Sequence, residues 1–149
     1  MTYSSRLAAF TAVMAALAVT LSVLSVPFVL GLRIHFFQVA VMLAGVIGGP
    51  VSGLVTGAVG GAYMAALRSD PTIIVGNGLL GLFTGLFVRK MRPALAAIAA
   101  WVLVQAPWIY LTGTYILHVP TVVMQTILVT LTVEDVVCAA IADVLQSRF

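Results

Sequence analysis

Two adjacent acids, Glu134 and Asp135, stand inside an apolar run spanning about residues 116–142. A lipid-facing carboxyl is costly, so Glu134 is expected to face the protein interior. Thr126, Thr130, Glu134 and Cys138 follow at four-residue spacing and share one helical face. On that face Glu134 suits a pocket floor, a partner for a cation, or a docking contact. Asp135 points about 100° away around the helix, toward the inner interface. A second constellation lies in AAWVLVQAPWIYLTGTY. Trp101, Gln105, Trp108 and Thr112 step by four, three and four residues, and Tyr115 extends the same face. Pro107 is expected to disturb the helix beside them. Aromatics at this depth also serve as interfacial belt residues, but a buried Gln105 amide needs partners. Asn77 and Gln125 add carboxamides on two further segments at similar depth. Together they point to a polar pocket open to the outside, or to interhelical hydrogen bonding. Arg33, His35 and Arg68 stand at the outer ends of their segments, placed to reach an anionic group of a ligand.

Several chemistries are excluded or disfavoured. The sequence has no G-x-x-x-x-G-K-[ST], and its one lysine, Lys90, lies in a turn, so it carries no P-loop for ATP. No series of intramembrane acids and bases forms a proton relay. Pro50-Val51-Ser52-Gly53 brushes the G-x-S-G pattern of rhomboid proteases but replaces the first glycine. His35 and His118 fall on the opposite side from Ser52, which argues against a Ser–His pair. The two histidines do not have metal-motif spacing. No catalytic residue, metal or cofactor is therefore expected, and nothing points to nucleic acid.

These residues must be positioned by a membrane-embedded scaffold. Of the 149 residues, 62% are hydrophobic and 7% charged, where a soluble domain carries about 25% charged residues. The chain is expected to form one transmembrane domain, residues 1–149, with no cleaved signal and no second domain. The single Cys138 excludes an internal disulfide. Apolar segments run at about 7–30, 36–49, 50–67, 72–88, 93–113 and 116–142. Residues 36–67 as one helix would be ~48 Å long against a ~30 Å hydrocarbon core. Gly48-Gly49-Pro50 breaks that run, with Pro50 suited to a new first turn. The expectation is an all-α integral membrane protein, a six-transmembrane-helix bundle. With both termini cytoplasmic, Arg6, Arg89, Lys90, Arg92 and Arg148 lie inside, and Arg33 and Arg68 outside. A five-span chain with its N-terminus outside gives the same balance.

Small residues are patterned too. Gly45, Gly49, Gly53, Gly57 and Gly61 recur every four residues, and Gly81 and Gly85 repeat the spacing later. In lipid such ladders let helix backbones approach closely. Ala8, Ala12 and Ala16 form a similar seam on the first helix, for packing inside the monomer or against another membrane protein.

The Ala8-x-x-x-Ala12 pattern, FQVAVMLAGVIGGPVSGLVTGAVGGAY and DPTIIVGNGLLGLFTGLFVRK resemble the substrate-binding S components of energy-coupling-factor (ECF) vitamin transporters. The resemblance covers nearly the whole chain. It implies a multi-pass protein in the cytoplasmic membrane of a prokaryote that captures a vitamin, vitamin precursor or related micronutrient from outside. It implies partners: a membrane T component and two ATPase subunits that power inward release, with toppling of the S component in the bilayer. It places Ala8, Ala12 and Ala16 against the T component. The substrate-binding candidates are Arg33, His35, Asn77, Trp101, Gln105, Trp108, Thr112, Tyr115, Gln125 and Glu134. Aromatics with carboxamides suit a flat polar heterocycle or an aromatic amino acid, and a chain short for the family suits a compact ligand. The competing readings are a non-transporting assembly subunit and a small self-sufficient oligomeric transporter or channel.

Overall fold

The computed structural model describes residues 3–27 and 33–148. Residues 28–32, in the expected first outer loop, lie outside the described residues. The described chain is mostly helical. Its order is α1 (Tyr3–Val23), β1 (Ser25–Pro27), β2 (Arg33–His35), α2 (Phe37–Gly48), α3 (Pro50–Arg68), α4 (Thr72–Phe87), α5 (Pro93–Ala100), a π turn (Trp101–Gln105), α6 (Ala106–Tyr115) and α7 (Thr121–Gln146).

Three helical stretches are long and apolar enough to cross a membrane: Ser4–Val23, Pro50–Arg68 and Pro93–Tyr115. Phe37–Gly48 and Thr72–Phe87 are apolar but shorter. At ~1.5 Å per residue α2 is about 18 Å long, well short of a ~30 Å core. Its first nine residues are all buried, so it is an internal element screened by its neighbours. The outward surface is apolar in the manner of a lipid-facing one, with Val13, Leu103, Val122 and Val129 all more than 60% exposed.

The first helix ends earlier than its hydropathy implies. Val26 and Pro27 belong to β1, which pairs antiparallel with β2 in the register Ser25↔His35, Val26↔Ile34, Pro27↔Arg33. An all-helical description therefore omits a short hairpin. The β-branched Val26 and Ile34 suit a strand, and Pro27, at the end of β1, does not extend the helix. The break between α2 and α3 falls at Gly49, whose φ of +84° is left-handed backbone that glycine adopts at little cost. Pro50 then occupies the first turn of α3.

The glycine ladder divides its labour at that break. Gly49 shapes the turn, with open space around it. Gly53 and Gly81 bring α3 and α4 into backbone contact: a methyl on either would collide with the carbonyl of the other. Gly57 stands likewise against the Asn77 carbonyl, and Gly45 of α2 would place a methyl 2.7 Å from the Gly81 carbonyl oxygen. α3 and α4 form the most extensive helix pair in the molecule. Close approach of this kind supplies dispersion contacts where lipid removes the apolar driving force.

The helices alternate in direction, so the connections gather at two ends. One end holds the α2–α3 turn, the basic α4–α5 turn and the C-terminus. There the Ser52 hydroxyl donates to Thr11 Oγ1 at 2.9 Å, since Thr11 donates to the Leu7 carbonyl, and the Ala94 amide donates to Asp143 at 3.3 Å. The other end holds the hairpin, the α3–α4 turn and the α6–α7 turn. Beneath it sits a core of Phe37, Met42, Leu80, Ala100, Trp101 and Cys138.

Candidate functional site

The hairpin end contains a cavity of about 140 Å³. Its walls come from β2, α2, α3, α4, the π turn, α6 and α7, so no single segment owns it. The apolar lining includes Phe37, Met64, Ile109, Met124 and Leu131; the polar lining includes His35, Gln38, Asn77, Gln105, Thr112 and Glu134. Arg33, Arg68 and Asp70 stand in the same wall.

A chain of hydrogen bonds fixes the polar groups. Asn77 Nδ2 donates to the Ile73 carbonyl at 2.9 Å, which leaves its Oδ1 as an acceptor. Gln105 Nε2 donates to that Oδ1 at 3.1 Å. Gln105 Oε1 is therefore left buried and without a partner. His35 Nδ1 lies 3.1 Å from the Ser22 carbonyl. A carbonyl only accepts, so Nδ1 carries the proton, and the buried Nε2 is unpartnered. Burial, with Arg68 and Arg33 nearby, pushes the His35 pKa below 6.5 against the opposing Ser22 bond. The ring is thus neutral at pH 7, and Nε2 is an acceptor.

Gln38 Oε1 and both Glu134 carboxyl oxygens complete the set of buried, unpartnered acceptors on this cavity. The Gln38 amide and the His35 backbone face Glu134, but neither closes a well-formed hydrogen bond with it. Most buried polar side chains have partners. Among the described residues four that lack one, His35, Gln38, Gln105 and Glu134, converge on one cavity. A ligand with several N–H or O–H donors would satisfy them. Two further hydroxyls, Thr56 and Thr84, and the Asp135 carboxyl are also buried and unpartnered, but away from the cavity wall. Asp135 is 1% exposed, so its carboxyl is packed inside the bundle.

The structure brings together Arg33, His35, Asn77, Gln105, Thr112 and Glu134 from the expected set. Trp101, Trp108, Tyr115 and Gln125 do not line the cavity. The reason for Trp101 is the π turn. The Ala106 amide reaches back five residues to the Trp101 carbonyl, widening the helix just before Pro107. The wider turn breaks the even stepping: Trp101 turns to α7, where its Nε1 donates to Thr132 at 3.2 Å, while Gln105 turns to α4. Trp108 packs on Gly76 and donates to the Thr72 carbonyl at 3.0 Å, tying α6 to α4 from outside the cavity. Tyr115 is 69% exposed, and Gln125 is also exposed. Sequence reasoning missed Gln38. The cue was available: a glutamine at the start of an otherwise wholly apolar α2.

The family model described as "ECF-type riboflavin transporter, S component" matches residues 2–147. No curated protein and no solved structure matches the chain. A match over nearly the whole length, on a helical membrane scaffold with an acceptor-lined cavity, places this chain in the ECF-type riboflavin transporter S component family, whose members are substrate-binding transporter subunits and not enzymes.

Proposed function

We propose that the chain captures riboflavin, or a close flavin, from outside the cell and delivers it inward when docked on a T component with two ATPase subunits. The observation that carries this reading is the convergence of His35 Nε2, Gln38 Oε1, Gln105 Oε1 and Glu134 on one cavity without partners. A flavin offers a ring N–H and a row of hydroxyls as donors, on a flat body suited to Phe37, Ile109 and Leu131. At about 10–15 Å³ of such space per water, 140 Å³ accommodates roughly ten waters, or about 300 Å³ of liquid. That is the lower end of the size of small-molecule sites. A flavin is larger than the compact ligand that chain length favours; the family description and the donor–acceptor match outweigh length.

The hairpin end is taken as outside, with six spans and both termini cytoplasmic. Five basic residues, Arg6, Arg89, Lys90, Arg92 and Arg148, then face the cytoplasm against Arg33 and Arg68. Docking is assigned to α1. Its buried face is Met14, Ala15, Ala18 and Ser22, while Ala8, Ala12 and Ala16 lie exposed on another face. That placement supports an outward role for the alanine seam. A flat, small-residue face supports close contact with another membrane helix. The chain's own residues hold and orient the ligand; the energy for release comes from the partner ATPases.

The test is riboflavin binding to the purified full chain in detergent, followed by quenching of flavin fluorescence. Saturable binding at one flavin per chain, lost when Gln38 and Gln105 are both changed to Leu, is the expected outcome. Absence of binding by the folded protein rejects the flavin assignment.

A further inference from the structure

The cavity meets a second, smaller hollow of about 20 Å³ at the hairpin end. The two share Arg33, Arg68, Ile127 and Leu131, and the smaller one adds Thr130. At about 10–15 Å³ per water it holds one or two waters, the size of a single oxyanion and not of a second ring.

Two cations, Arg33 and Arg68, line it. Arg33 is anchored from one side: Nε donates to Ser25 Oγ at 2.6 Å, and one terminal nitrogen to the Ser25 carbonyl at 3.3 Å. Among the described residues the rest of its donor fork has no partner. Arg68 ends α3 on the same hollow, and its guanidinium makes no hydrogen bond or ion pair among the described residues. The nearby carboxyls are occupied or deeper. Asp70 accepts from the Thr72 amide at 3.0 Å and the Thr72 hydroxyl at 2.6 Å, at the start of α4. Glu134 lies one helical turn inward of Thr130, is 1% exposed, and stands within coulombic reach of Arg68 without pairing with it. The Thr130 hydroxyl already donates to the Thr126 carbonyl at 2.9 Å, so the arginines are the free donors here. Two guanidinium groups at one small hollow repel each other unless an anion joins them. Their planar forks match the oxygens of a phosphate group.

We infer that Arg33 and Arg68 form a phosphate subsite at the mouth of the cavity, separate from the acceptor-lined chamber beneath. One chemistry admits two sources: a phosphate on the ligand's flexible tail, which rests on the flavin reading above, or the headgroup of an anionic phospholipid, which does not.

The experiment compares the wild-type full chain with Arg68→Gln, chosen because Arg68 supports no internal bond. The probes are riboflavin, riboflavin 5′-phosphate, and nanodiscs of phosphatidylglycerol or phosphatidylcholine. If the ligand supplies the phosphate, Arg68→Gln lowers the affinity for riboflavin 5′-phosphate relative to that for riboflavin at least tenfold; an equal loss of both flavins overturns that source. If lipid supplies it, the wild type retains phosphatidylglycerol in native mass spectra, and Arg68→Gln loses it. A variant that binds both flavins like the wild type and retains the same lipid overturns the subsite. If neither flavin binds, the flavin reading fails by itself, and the lipid arm alone decides the subsite.

Discussion

Replacing Glu134 by Leu is expected to move affinity and stability in opposite directions. In the unliganded protein the Glu134 carboxyl is 1% exposed, and neither oxygen has a hydrogen-bond partner. An unsatisfied buried polar group costs about 1–3 kcal/mol. Leucine has similar bulk and no polar atom, so the empty protein gains stability of that order. At about 2–4 °C per kcal/mol, its melting temperature rises by several degrees. The liganded protein responds the other way. Two oxygens each accepting one bond from the ligand contribute about 0.5–1.5 kcal/mol apiece. Their loss removes about 1–3 kcal/mol of binding, a five- to 150-fold weakening. Flavin titration and a thermal melt of the ligand-free protein, both in the same detergent, read the two effects. Affinity within twofold of the wild type would refute the assignment of Glu134 to the ligand. A lowered melting temperature with weakened binding would show that Glu134 supports the fold instead.

Gly113→Ala tests the cavity from the other side. A methyl there collides with the end of Met124, which is flexible and lines the same cavity. The fold is expected to survive while Met124 swings inward, with flavin affinity falling at least tenfold by the same titration. Gly53→Val is expected to do the reverse, because its side chain meets the Gly81 backbone, which cannot step aside. α3 and α4 must separate, and size-exclusion chromatography should show loss of the folded monomer. Ala12→Leu is expected to leave flavin binding intact and to abolish uptake in cells carrying the partner subunits, by raising a bulge on the α1 seam. Binding should hold steady above pH 6.5 and weaken as pH falls through the lowered pKa of His35. Protonation turns Nε2 from acceptor to donor and adds a third cation beside Arg33 and Arg68. The same ring favours folding above the unfolded pKa of about 6.5, and that contribution is lost below it as the folded state resists the proton. His35→Gln should flatten the binding profile between pH 5 and 8.

Composition and local pattern were enough to read the class of molecule and much of its scaffold. A charge content of 7% leaves a lipid-embedded chain as the physical reading, since water-facing surface needs more polar groups. The Gly48-Gly49-Pro50 break between α2 and α3 was legible because it is local chemistry: a left-handed glycine followed by a first-turn proline. Local too was the inward facing of Glu134, dictated by the cost of a carboxyl in lipid. Helix phase and the neighbours each face meets depended on packing between distant segments. The π turn before Pro107 rotates Trp101 away from Gln105, and a 3.6-residue period cannot anticipate a turn of five. Gln125 and Tyr115 shared the expected depth with the cavity residues but face outward, because depth says nothing about which neighbour a helix face meets. The Asn77–Gln105 bond joins residues 28 positions apart, and the Arg33–Arg68 hollow joins a hairpin to the end of α3. Such pairings join segments far apart in the chain, and no local pattern specifies which of them meet.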